Sequence, residues 1–70
     1  MSLEDLLINN IENGIRGIRL GTKKPNEVKV GYNLNRLSKI NEGMFEDYLN
    51  KYKNVLRDYN NKNTNIIVSK

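Results

Sequence analysis

Residues 15–32, IRGIRLGTKKPNEVKVGY, decide how this chain is read. Val28, Val30 and Tyr32 alternate with Lys29 and Gly31, the two-residue period of a half-buried strand. Upstream, Ile18 and Leu20 share a face. Ile15 falls out of phase with them, and a bulge at Arg16-Gly17 returns it to the inner side, since glycine within a strand often marks a bulge. Residues 21–26 carry turn chemistry, and Pro25 cannot donate in a ladder. The stretch therefore predicts a β-hairpin, with Arg19 and Lys29 on its open face and Lys23 and Lys24 at its tip.

Working outward, residues 44–59, MFEDYLNKYKNVLRDY, are the least ambiguous element. On a helix, Met44, Phe45, Tyr48, Leu49, Tyr52, Val55, Leu56 and Tyr59 fall in one arc of roughly 140°. Leu34, Leu37 and Ile40 share that phase, and Asn33 can cap a helix beginning at Leu34. Gly43 costs ~1 kcal/mol within a helix, so a break or kink is expected near it. Residues 1–13 predict a short helix. Ser2 is the N-cap, Asp5 completes an acidic capping box, and Met1 and Leu6 have staple spacing. Leu3, Leu6, Leu7 and Ile11 form its buried face, and Asn13-Gly14 offers a left-handed exit. Ile66, Ile67 and Val68 follow an asparagine-rich stop and read as a covered third strand.

These elements give a single α+β domain over residues 1–70, in the order α-β-β-α-β. A three-stranded, mostly antiparallel sheet packs on a long C-terminal helix. That helix is longer than its strands. The aromatic stripe of Phe45, Tyr48, Tyr52 and Tyr59 therefore predicts contact with a second copy and a homodimer.

Composition narrows function. The chain has no Cys and no His, so disulfides, the usual structural zinc sites and the commonest general base are excluded. The carboxylates have ordinary explanations: Glu4 and Asp5 suit a helix start, and Glu42, Glu46, Asp47 and Asp58 a solvated face. Residues 17–23 are faintly like a phosphate loop but lack its spacing and its Lys-Ser/Thr ending. No enzyme, cofactor or metal is expected. No apolar run approaches the ~20 residues of a membrane span, and without a signal peptide the expected compartment is the cytoplasm. Frequent Asn, Lys and Ile match an AT-rich genome, of the kind that phages and other mobile elements carry.

The net charge is +4, and its distribution is uneven. Residues 14–40 carry Arg16, Arg19, Lys23, Lys24, Lys29, Arg36 and Lys39 against Glu27 alone. A basic two-stranded ribbon fits a major groove and neutralises phosphates. Nucleic-acid binding through this hairpin is one expectation. Docking on an acidic host protein, as an inhibitor or adaptor, is the other. Plain solubility is the competing explanation for the same charges. Tyr32 shares the phase of Val28 and Val30, which predicts packing in the core rather than stacking on a base. Residues 28–59, a strand followed by two helices, are superficially similar to ribbon-helix-helix repressors. That likeness implies that Lys29 enters a major groove. The first helix is short for that family and the preceding strand is not expected there, so membership is not assigned.

Overall fold

The computed structural model describes the backbone of residues 2–68 and the side chains of residues 2–61. It contains three α-helices, α1 Leu3–Leu20, α2 Val30–Ser38 and α3 Glu42–Val68, with one 3-10 turn at Pro25–Glu27. No strand occurs among the described residues. The expected α+β class, its α-β-β-α-β order, the hairpin and the three-stranded sheet are therefore all overturned. The likeness to ribbon-helix-helix proteins loses its strand with them.

The reason lies in α1. Leu7, Ile11, Ile15 and Ile18 recur at helical spacing, and all are buried. Ile15 needs no bulge; it continues the stripe begun by Leu7. Gly14 and Gly17 lie inside the helix and are also buried. A Cβ on Gly14 would overlap Val30 Cγ2 and come within 3.3 Å of Val28 Cβ. One on Gly17 would stand 2.7 Å from Lys23 Cγ. Each glycine costs a helix interior about 1 kcal/mol. Here that cost is offset by letting the start of α2 and the connecting segment press directly on the backbone of α1.

The N-terminal cap holds, but half of the expected buried face does not: Leu7 and Ile11 are buried, whereas Leu3 and Leu6 are each 48% exposed. Ser2 Oγ accepts from Asp5 N at 3.2 Å, with Glu4 and Asp5 in the first turn. The expected end at Gly14 does not hold. The left-handed exit is Gly21, φ 79°, and its N–H bonds back to the α1 carbonyls. Gly17 O accepts from Thr22 N at 3.0 Å and Lys23 N at 3.1 Å, closing the turn. Met1, and with it the proposed staple, lies outside the described residues.

The alternation of Val28, Val30 and Tyr32 is incidental. Val30, Leu34 and Leu37 form the buried stripe of α2 at helical spacing. The helix begins three residues before the cap assigned to Asn33, which instead sits within it and donates Nδ2 to Lys29 O at 2.8 Å. Tyr32 is 59% exposed, not in the core. The break expected near Gly43 falls slightly earlier, in the turn at residues 39–41. Asn41 Oδ1 accepts from Met44 N at 3.1 Å and so caps α3. The strand expected over residues 64–68 is the last turn of α3, because a helical backbone continues through it. The side chains of Ile66, Ile67 and Val68 lie outside the described residues.

Helix direction follows from three contacts. Asn41 Nδ2 donates to Glu4 Oε1 at 3.1 Å, the Tyr48 hydroxyl donates to Glu12 Oε1, and Arg19 shares a groove with Asp58 and Tyr59. Later residues of α1 thus meet later residues of α3, so the two run parallel, with α2 antiparallel between them. The end of α1 is level with Tyr59. Residues 60–68 carry α3 roughly 13 Å further, consistent with overall dimensions of 47 × 20 × 14 Å. Phe45, Tyr52 and Tyr59, expected to meet a second copy, pack half-buried on the chain's own core, and Tyr48 is 8% exposed within it.

Candidate functional site

The parallel arrangement sorts charge along the molecule. Glu4, Asp5, Glu42, Glu46 and Asp47 gather at the end where α1 and α3 begin. Arg16, Arg19, Lys23, Lys24 and Lys29 gather where α1 stops and α2 starts, and all are exposed. Arg36 and Lys39 separate from this group: they sit at the C-terminal end of α2, beside the acidic pole. There the Arg36 guanidinium lies 5.6 Å from the Tyr32 ring centroid. The seven expected binding residues are therefore not one ribbon face; five share an end of the helical domain and two do not.

Within the basic end, α1 divides the cations again. Arg16 and Arg19 face α3 and line a groove of about 210 Å³ with Glu12, Ile15, Tyr48 and Lys51. Lys23 and Lys29 open onto the other side, around a cavity of about 330 Å³ with Asn10, Asn13 and Asn33. Arg19 also lines a second groove of about 280 Å³, whose floor is Ile18 and Val55 and whose walls include Asp58 and Tyr59. The two grooves meet at Arg19 and run along the α1–α3 seam.

Glu12 is the acidic member of the first groove, and Tyr48 engages it. The hydrogen bond to Glu12, then burial, then the charges of Glu12 and Asp47 push the Tyr48 hydroxyl from 10.0 to about 12. It stays protonated and keeps donating. Lys51 Nζ lies 5.0 Å from the Tyr48 ring centroid, held over the aromatic face. Among the described residues, Arg16 and Arg19 form no ion pair, so the groove presents net positive charge to an incoming group.

Lys51, Glu12 and Asp58 were missed as site residues. The signal that would have found them is the unbroken Leu7-Ile11-Ile15-Ile18 spacing, which makes α1 long enough to flank α3. Among the described residues no cluster of His, Cys, Asp or Glu is suited to hold a metal ion, and no helix is long and apolar enough to cross a membrane. Comparison with protein-family models, curated proteins and solved structures finds no match.

Proposed function

We propose that this protein is a non-enzymatic binding protein that holds nucleic acid by its phosphates, through the basic end of the helical domain. The observation that supports this reading is the gathering of Arg16, Arg19, Lys23, Lys24 and Lys29 at one end, opposite an acidic pole. Such a charge gradient orients the molecule on a polyanion before contact. Neutralised phosphates release counterions, so binding falls log-linearly with salt. The test is fluorescence anisotropy of labelled DNA and RNA from low to physiological salt. Binding tighter than about 100 μM at roughly 50 mM salt, with a negative salt slope, is the expected result. Absence of binding at that level removes the reading.

A protein partner is the second reading. Its support is Leu20, 70% exposed in the midst of these cations. An apolar side chain ringed by charge suits an acidic protein surface with a small hydrophobic pocket. Leu20→Ser separates the two: it leaves phosphate contacts intact and removes the anchor of a protein interface.

A further inference from the structure

We infer that the α1–α3 seam holds a single nucleotide unit, with its phosphate at Arg16, Arg19 and Lys51 and its base at Ile18, Val55 and Tyr59. This rests on the nucleic-acid reading and adds to it that the preferred form is single-stranded and is contacted through its bases.

Two grooves of different chemistry adjoin along the seam. The first groove is cationic, and its one carboxylate is already engaged by Tyr48. A phosphate there meets three positive side chains from two helices, two of them guanidinium forks suited to paired oxygens. Past Arg19 the floor becomes apolar, with Ile18 4% and Val55 3% exposed, and Tyr59 supplies a half-buried aromatic ring. Bases stack on such rings with little regard to sequence. Asp58, exposed, lines this second groove and not the first. An anion would be repelled by it, so the phosphate belongs at the Arg16 end. A carboxylate accepts hydrogen bonds, and the amino groups of guanine, cytosine and adenine donate them, whereas thymine has none. A cationic groove adjoining one with an apolar floor, a ring and a carboxylate thus matches a phosphate beside a base with its amino group. A duplex keeps its base faces stacked on one another, whereas an unpaired base can lay its face on the Tyr59 ring.

The other candidates carry less. The Lys23–Lys29 cavity is walled by asparagines whose roles the fold already uses in part, Asn33 being bonded to Lys29 O. Leu3, Leu6 and Ile40 are exposed at the acidic pole, but nothing marks what would cover them.

The experiment uses the full chain and anisotropy at one fixed salt concentration. Its probes are a guanine- and cytosine-containing single strand, a thymine-only strand, an abasic strand of equal length, and a duplex. The base-bearing strand should bind about tenfold or more tighter than the abasic one. Guanosine monophosphate should displace it where inorganic phosphate at matched ionic strength does not. Asp58→Asn, an exposed change that leaves packing untouched, should reduce the preference for guanine and cytosine over thymine. Arg16→Ala and Lys51→Ala should each weaken the single strand and lower its salt slope by about 0.7. If abasic strand and duplex bind as tightly as the base-bearing strand, the seam holds no base and the inference is overturned, while the phosphate reading stands. If nothing binds, both fall.

Discussion

Gly14→Ala tests whether close approach of α2 holds α1 in place. By propensity alone, alanine in a helix interior gains about 1 kcal/mol over glycine. The new Cβ, however, would overlap Val30 Cγ2 and sit 3.3 Å from Val28 Cβ. Val30 is 0% exposed and has no room to turn away. Overpacking of this kind costs about 1–3 kcal/mol. The sum is a loss of up to about 2 kcal/mol, and each kcal/mol lowers Tm by about 4–8 °C in a domain of this size. Gly31→Ala is the control, because a Cβ there meets nothing within 4 Å. That change should be neutral or stabilising by up to about 1 kcal/mol. Far-UV circular dichroism melts of both variants give opposite shifts if the packing argument holds. In a Val30→Ala background the penalty at Gly14 should shrink or reverse. Equal upward shifts for Gly14→Ala and Gly31→Ala would refute the role given to the glycine contact.

Asn41→Ala removes both the cap of α3 and the hydrogen bond to Glu4, and should cost about 1–2 kcal/mol in urea unfolding. Gly21→Ala forces alanine into φ 79°, a loss of about 1–2 kcal/mol measurable in the same titration. For Tyr48, the hydroxyl is raised from 10.0 to about 12 in the folded chain, so its stabilisation is complete below pH 10.0 and is lost as pH climbs toward 12. The stability difference between the native chain and Tyr48→Phe should therefore shrink across that window, and tyrosinate absorbance should lose its highest-pH step in the variant.

Two stretches show how far local signals reach. The Ser2 cap and the acidic first turn were legible because a helix start is written within four residues. The stripe over residues 44–59 was legible because it is long and uninterrupted. Residues 15–32 failed for a different reason. Gly14 and Gly17 lower helix propensity, and only a tertiary contact with Val28, Val30 and Lys23 repays it. A window of sequence contains the cost and not the compensation. The same window made Val28-Val30-Tyr32 look strand-like, although Val30-Leu34-Leu37 is the period the core uses. The basic residues were visible as a set. Their division was not, because it depends on α1 running parallel to α3, which follows from contacts more than thirty residues apart in sequence, such as Asn41 with Glu4.

That geometry also separates charges the fold requires from charges it does not. Arg19 lies in the last turn of α1, where a cation offsets the negative end of the helix dipole. Glu4 and Asp5 do the converse at its start. The dipole's influence fades within one turn of a helix end. Arg16 lies further in and Lys51 stands well inside α3, beyond the dipole's reach; each follows an acidic residue by four positions, Glu12 and Asp47, a spacing worth only about 0.2–0.5 kcal/mol to a helix. Solubility accounts for a cation anywhere on the surface. It does not account for two of them converging, from different helices, on a groove whose one carboxylate is held by a buried tyrosine. Arg16→Ala and Lys51→Ala should accordingly leave folding stability within about 0.5 kcal/mol of native, as exposed substitutions do, while weakening polyanion binding. Arg19→Ala should lower both. If Arg16 and Lys51 prove as costly to folding as Arg19, their convergence serves the seam itself and the case for a ligand there collapses.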